Sequence, residues 1–296
     1  MKPRVSDLSA IFFAIFGFTC WVLADSCIKW IGQYGIPPVE VVACMGLFMA
    51  LTLVVQSAVR GSLRNLLPRS VLRQSLRAML DMTNNVCVVI ALRHLSLTMF
   101  YILVFLSPIT ISILSAALLK ERITALKGVA LILGFCGVVV AVAPWSHAQR
   151  LDLIGVASCL VCVACFSVNM VWSRVLTRTE PPESLAFCSG VVTAIAGLSI
   201  TCFYGKPLNL PVTSVLVLMG IFCAVGTLSF YVAVKHTSAS NVSQYHYTQL
   251  LTGALISYIV WHEKPGLPML AGGALILGSG VMIALAARKA GRAADA

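Results

Sequence analysis

The stretch from Phe100 to Gly134, FYILVFLSPITISILSAALLKERITALKGVALILG, is written twice in this chain. The second version runs from Val242 to Gly278 as VSQYHYTQLLTGALISYIVWHEKPGLPMLAGGALILG. Arg93-His94 matches Lys235-His236, Glu121 matches Glu263, and Ala130 to Gly134 returns letter for letter as Ala274 to Gly278. Upstream, Pro37-Pro38 followed by Cys44-x-Gly46 recurs as Pro181-Pro182 followed by Cys188-x-Gly190, and Asp7-Leu8 recurs as Asp152-Leu153. The chain is therefore a duplication of a unit of roughly 145 residues, and a repeat of that length decides the architecture before any single residue does.

Hydrophobic residues make up 59% of the 296 positions and charged residues 10%, well short of the about 25% charge of a soluble domain. That balance describes an integral membrane protein. The length allows about ten spans of roughly 20 residues with short connections and leaves little for a separate soluble domain. A net charge of +11 comes without a basic run or basic residues interleaved with aromatics, so no nucleic-acid partner is expected. The positive residues fall between apolar spans, where they set topology. Most of the 11 cysteines lie in apolar segments and pack as small soft hydrophobes, giving no disulfide framework. The run from Leu8 to Ile28 is longer than a signal h-region and lacks a small-x-small cleavage site, so it is expected as the first span.

Apolar runs bounded by Pro, Gly or charge place spans at about 8–30, 39–59, 74–92, 98–119, 126–143, 153–176, 184–204, 212–233, 241–260 and 267–286. Each repeat carries five, so the second enters the membrane from the opposite face and the halves are inverted. The units are 1–146 and 147–288, with a short tail at 289–296. With the N-terminus inside, sixteen Lys and Arg fall on inner segments and five on outer ones. This positive-inside bias places both termini in the cytoplasm. The expected fold is all-α, with ten transmembrane helices in two inverted five-helix repeats.

Polar side chains in hydrocarbon face the bundle interior or a water-filled path and are functional candidates by default. Spans five and ten hold almost none, and their glycines suit helix packing or a homodimer contact. Span one places Trp21 and Asp25 on one face with Lys29 a turn beyond, where Asp25 and Lys29 are spaced for an ion pair, snorkelling or gating. Span six aligns Phe166 with Trp21 and Asn169 with Ala24, and adds Trp172. Its Cys159, Cys162 and Cys165 lack histidine partners and do not converge as zinc ligands would, so no metal is expected. Span three has Arg77 and Asp81 spaced for a helical pair near the inner face, then Asn84 and Asn85, which serve as interhelical glue or as substrate contacts. Span four carries Tyr101, Phe105 and Pro108, and the proline frees a backbone carbonyl at mid-span to form a hinge or cavity wall. Span nine strings seven hydrogen-bonding residues together from Ser243 to Gln249. Alignment of Phe105 with Tyr247 and Tyr101 with Ser243 turns the Ser243, Tyr247 face inward with Gln244 and Thr248 beside it, leaving Tyr245 or Gln249 to bridge to neighbouring helices. His246 is open to a proton-coupling role or a neutral hydrogen-bonding one.

The proline in span four, the LLKERIT segment from Leu118 to Thr124, the Gly-rich LILGFCGVVV from Leu131 to Val140 and the second copy of that pattern together resemble the drug/metabolite transporter superfamily. More narrowly they resemble its ten-span EamA-type exporters and the bacterial aromatic amino acid exporters of the YddG type. The resemblance covers the whole chain in two halves. His262-Glu263-Lys264-Pro265 departs from the regular form of the second Glu motif, which weakens any ordered role for Glu263. The resemblance implies a basket in which spans one to four and six to nine enclose a central pathway, with five and ten at the periphery.

The expected function is a secondary transporter of the bacterial inner membrane. It exports aromatic or other bulky neutral amino acids by alternating access, without a cofactor. Gln244, Thr248, Asn84 and Asn169 would meet the ammonium and carboxylate groups, and Trp21, Tyr101, Phe105, Phe166 and Tyr247 the side chain. Another metabolite or a drug, or a receptor that does not transport, stays open. No lysine or arginine is expected deep in the membrane, which disfavours phosphate substrates. The chain holds no G-x-x-x-x-G-K-[ST] to power pumping. Hydrolase signatures such as His-Glu-x-x-His and Gly-x-Ser-x-Gly are absent too, so it is not expected to be an enzyme. Asp25, Glu40, Asp81 and His246 are the candidates for proton linkage.

Overall fold

In lipid every backbone N–H and C=O must bond within its own segment, and the apolar runs accordingly form helices. A computed structural model describes residues 7–119, 125–142, 152–204, 209–237, 242–243, 245–262 and 266–294. The helices are α1 (Asp7–Gly32), α2 (Pro38–Val59), α3 (Val71–His94), α4 (Leu97–Val104), α5 (Ser107–Leu119), α6 (Ala125–Val142), α7 (Leu153–Leu176), α8 (Pro182–Tyr204), α9 (Leu210–His236), α10 (Thr248–Trp261) and α11 (Leu267–Ala294). Short 3-10 turns occupy Leu63–Leu66 and Tyr245–Tyr247. Among the described residues there are no strands, and seven stretches of 18 to 27 residues are long and apolar enough to cross a membrane. Large apolar side chains such as Phe12, Val55, Ile132, Ile195 and Leu255 point outward, while Gln74, Arg77, Asn169 and Gln249 are buried. This arrangement suits a lipid surround.

The helix pairing follows the sequence repeat. The main partners are α1 with α9, α3 with α7, α2 with α8, α6 with α11, and α4 with α10. Exchanging the halves turns the first pair into the second and leaves α2 with α8 and α6 with α11 unchanged. Equivalent residues meet where α2 crosses α8. A Cβ on Gly46 would lie 2.3 Å from the Ala194 nitrogen and 2.7 Å from the carbonyl oxygen of Gly190, its repeat mate. A Cβ on Gly190 would lie 3.1 Å from the Ala50 nitrogen and 3.2 Å from the Gly46 oxygen. Those neighbours are backbone and cannot swing aside, so both positions require glycine for this approach. The reciprocal contacts, Gly46 with Ala194 and Gly190 with Ala50, run the two helices antiparallel.

Span four is broken. Phe105 and Leu106 form a turn between α4 and α5, because Pro108 has no N–H to offer the Val104 carbonyl and its ring crowds that group. The Leu106 carbonyl accepts instead from the nitrogens of Ile109 at 3.1 Å and Thr110 at 3.0 Å. The Thr110 and Ser167 hydroxyls are hydrogen-bonded to each other, which ties α5 to α7. The repeat-equivalent position is also irregular, since Tyr247, the mate of Phe105, lies in the second 3-10 turn.

Arg77 knots the two halves together. It is 0% exposed. Its Nη2 donates to the Leu185 carbonyl at 2.8 Å and the Ser189 hydroxyl at 2.7 Å. Its Nη1 donates to Asn169 Oδ1 at 3.3 Å and to the Tyr231 hydroxyl, and Asp81 lies 3.7 Å away. One side chain of α3 thereby holds α7, α8 and α9. The expected helical pair of Arg77 and Asp81 is present, and the arginine is fully enclosed by neighbouring helices. The carbonyl, hydroxyl and amide acceptors of three helices stand in for the water the guanidinium has lost.

At helix ends, carboxylates do the capping. Glu180 accepts from the Arg69 and Ser70 nitrogens at 2.9 and 2.8 Å, closing the start of α3. Asp152 accepts from the Ile154 and Gly155 nitrogens at the start of α7. Asp152 also takes a 2.7 Å contact from His94 Nδ1, which holds its carboxyl below the usual carboxylate range.

Gly46→Ala is expected to cost about 1–3 kcal/mol through overpacking, Gly190→Ala less, and Gly128→Ala, with nothing within 4 Å of the new Cβ, nothing measurable. Thermal unfolding in detergent reads this order. In the same assay Arg77→Ala, which strands Asp81 and the acceptors of three helices, is expected to lose about 3–5 kcal/mol. Arg77→Lys recovers only part, because an ammonium lacks the planar fork. Because the Asp152 value is depressed in the fold, its contribution is complete above the ordinary carboxylate value of about 3.9 and is lost as pH falls through the lower folded value. The stability gap between the native chain and Asp152→Ala is therefore expected to hold near neutral pH and to close only below about pH 4.

Candidate functional site

A part-open cavity of about 890 Å³, counting its mouth, lies between the two halves. Its wall comes from α1, α2, α3, α4, the start of α5, α7, α9, the Tyr245–Tyr247 turn and α10. Among the described residues α6, α8 and α11 contribute none of it. The mix of aromatic surface with a few polar groups is typical of small-molecule sites.

The base of the cavity is polar and rests on the Arg77 knot. Asn169 Nδ2 donates to Asp81 Oδ1 at 3.0 Å, while its Oδ1 accepts from Arg77 and from the Ser173 hydroxyl at 3.2 Å. The amide orientation is thereby fixed. Asn84 accepts from the Cys162 thiol at 3.1 Å. Arg77 itself is not in the wall, and its Nη1 and Nη2 donate to groups within the fold.

The middle of the wall is aromatic. Trp21 meets Phe166 edge to face at 5.9 Å between ring centroids and Phe230 at 5.0 Å. Its indole N–H donates to the Thr227 hydroxyl at 3.2 Å. His246, 3% exposed, stacks on Phe18 at 4.7 Å and lies 5.1 Å from Phe166.

A turn along α1 from Trp21, Asp25 faces the cavity and accepts from the Tyr101 hydroxyl at 2.8 Å. Gly253 makes room for that tyrosine, since a Cβ there would lie 2.4 Å from the ring. The expected partner Lys29 instead lies over the Trp261 ring, 4.7 Å from its centroid. Asp25 turns inward to the cavity, and Lys29, one helical turn further along, reaches α10.

Of the residues singled out from the sequence, Trp21, Asp25, Asp81, Asn84, Tyr101, Phe166, Asn169 and His246 come together in this wall. Phe105 does not. It is buried behind the wall, 6.5 Å from Tyr101 and 6.0 Å from His246 between ring centroids. Trp172 packs on the hydrophobic core, and Pro108 is buried at the start of α5 without entering the lining. Thr248 donates to the Tyr245 carbonyl at 2.6 Å and stays out of the cavity. Gln244 and the side chain of Tyr247 lie outside the described residues.

Span nine presents His246 and Gln249 to the cavity instead of Thr248. The 3-10 turn advances side chains by about 120° per residue where an α-helix advances them by about 100°, so α-helical spacing carried across it selects the wrong face. Gln249 also bridges helices as expected, donating to the Phe18 carbonyl at 3.0 Å.

Thr227, Phe230, Cys223, Met45 and Met49 were not singled out, yet they line the cavity. The repeat itself carried a signal for three of them. The shift of 142 that superposes Arg93-His94 on Lys235-His236 carries Asp81, Asn85 and Val88 onto Cys223, Thr227 and Phe230. It also carries Val104 and Ser107 onto His246 and Gln249, and all ten line the wall. No comparable signal marked Met45 or Met49.

The model of the EamA-like transporter family matches residues 8–143 and again 153–285. The chain is 25% identical over 265 residues to a riboflavin transporter of Brucella anthropi, covering 86% of this chain and 91% of that protein. It is 25% identical over 192 residues to a pseudopaline exporter of Pseudomonas aeruginosa, covering 65% of this chain and 67% of that protein. An S-adenosylmethionine uptake transporter of Rickettsia bellii is 25% identical over 189 residues, 63% of each chain. A solved crystal structure superposes with a TM-score of 0.74 over 97% of this chain and 99% of that one at 19% identity, which shows a shared fold. A helical bundle built from two matched halves, with a lined cavity between them, belongs to the EamA-like transporter family.

Proposed function

We propose that this chain is a secondary transporter that exports amino acids, aromatic or otherwise bulky and neutral, from the bacterial cytoplasm across the inner membrane. The observation that carries the reading is the cavity between the halves, where an aromatic wall of Trp21, Phe166 and Phe230 adjoins the amides of Asn84, Asn85 and Asn169. An apolar side chain packs against the rings, and the amides answer the charged ends.

In this reading each matched half contributes five crossings, ten in all, and the second half lies inverted in the bilayer. Support comes from the antiparallel contact of repeat mates at Gly46 and Gly190. If both helices cross the membrane, an axis that exchanges two antiparallel helices lies in its plane. The count of sixteen inner to five outer positive residues supports cytoplasmic termini, and the resemblance to YddG-type exporters supports outward transport of aromatic amino acids. Alternating access then consists of one half rocking against the other around the cavity, with the breaks before α5 and α10 as bending points. Asp25, Asp81 and His246 are the groups in the wall that a coupled proton would use, and the α6 and α11 outer faces are those a homodimer would use.

A second reading is favoured by a specific observation. Relatives of similar identity carry riboflavin, pseudopaline and S-adenosylmethionine, so another small metabolite fits the same scaffold.

The test is a flux screen in proteoliposomes across amino acids and those three metabolites, with and without a pH gradient. Saturable accumulation of phenylalanine or tryptophan is the expected result, and saturation of binding without luminal accumulation would make the chain a receptor. Trp21→Ala is expected to cut that flux at least about tenfold, the loss of about 1.4 kcal/mol, with protein abundance and thermal unfolding little changed. Undiminished flux removes the site assignment.

A further inference from the structure

Asp25 and Asp81 both face the cavity, but they are not equivalent. Asp81 is matched by Arg77 at 3.7 Å and by the Asn169 amide. Asp25 has the Tyr101 hydroxyl and, among the described residues, no ion pair. A carboxylate withdrawn from bulk water is costly unless a positive group answers it. No lysine or arginine of the described residues lines the cavity.

A further atom points the same way. Gln249, 2% exposed, donates through Nε2 to the Phe18 carbonyl. Only the nitrogen of an amide can donate, so its orientation is fixed and Oε1 is left as an acceptor without a donor. The cavity therefore holds a buried acceptor without a hydrogen-bond donor and, among the described residues, no lysine or arginine. It is also rich in aromatic surface, with Trp21 a single turn from Asp25 on the same side of α1 and the lining rings of Phe166 and Phe230 within 6 Å of the indole.

A positively charged nitrogen supplies what is missing. It would gain a charge-assisted hydrogen bond from the carboxylate and attraction to the aromatic faces. We propose that Asp25, held by Tyr101 and bordered by Trp21, is a subsite for a primary ammonium group, and that a flat aromatic amine without a carboxylate binds more tightly than the matching zwitterion. The proposal rests on the transport reading above and sharpens its substrate class. An α-carboxylate would have only amides to meet it here, whereas the ammonium meets the Asp25 carboxyl group.

Three probes separate the charges, namely tyramine, tyrosine and N-acetyltyramine. Equilibrium dialysis of the purified full chain in detergent is expected to give tyramine a Kd at least tenfold below those of the other two. Asp25→Asn is expected to raise the tyramine Kd to that of N-acetyltyramine, and Tyr101→Phe to raise it less. Should Asp25→Asn not fold, Asp25→Glu, which keeps the charge, is expected to keep the ranking. Equal binding of tyramine and N-acetyltyramine, no binding of tyramine, or a tyramine preference that survives Asp25→Asn overturns the subsite. Flux in proteoliposomes keeps the two readings apart. Tyrosine flux with no tyramine preference in binding leaves the transporter and removes the subsite, while the expected binding ranking without flux of any probe leaves the subsite and removes the transport reading.

Discussion

A guanidinium without water is the constraint on which this bundle turns. Arg77 is wholly enclosed, and a charge so placed is tolerated only when its donors are used and a counter-charge is near. The bundle answers both terminal nitrogens of the guanidinium by bringing a carbonyl and a hydroxyl from α8, an amide from α7 and a phenol from α9 to one point on α3, with Asp81 as counter-charge. Two of those partners serve twice. Asn169 also fixes Asp81, and Tyr231 also lies under the guanidinium at 5.2 Å from its ring centroid. The polar base of the cavity is thus the upper surface of a knot that holds the halves together.

Duplication explains why the cavity lies where it does. Helices that exchange when the halves are exchanged leave their common axis to be filled by whatever their facing positions supply. At Gly46 and Gly190 it is filled by backbone against backbone. At Trp21 and Phe166 the facing residues are rings at an angle, which cannot close the gap as two glycines do. Large side chains near the axis therefore act as spacers, and the space they hold open is the site.

The helical layout was legible because hydrocarbon leaves a chain few alternatives, so apolar runs bounded by Pro, Gly and charge marked the helices closely. The chemistry of spans one, three and six was legible for the same reason. Asp25, Asp81, Asn84 and Asn169 are expensive in lipid, and each has a bonded place inside. What the pattern hid was local geometry and register. The 3-10 turn at Tyr245–Tyr247 moved the lining of span nine from Thr248 to His246 and Gln249. The enclosure of Arg77 was hidden because a helix end in sequence is not a surface in space, and α7, α8 and α9 cover it. Apolar lining such as Met45 and Met49 carries no cost in lipid and hence no mark.

Several of the positions that line the cavity come in repeat-related pairs whose members differ: Ala24 stands for Asn169, Asp81 for Cys223, Val88 for Phe230 and Val104 for His246. A scaffold of matched halves would by itself receive a molecule equally well in either of two opposed poses. Divergence at the lining removes that degeneracy, so a bound solute is held one way round, and its two ends meet different chemistry along the route.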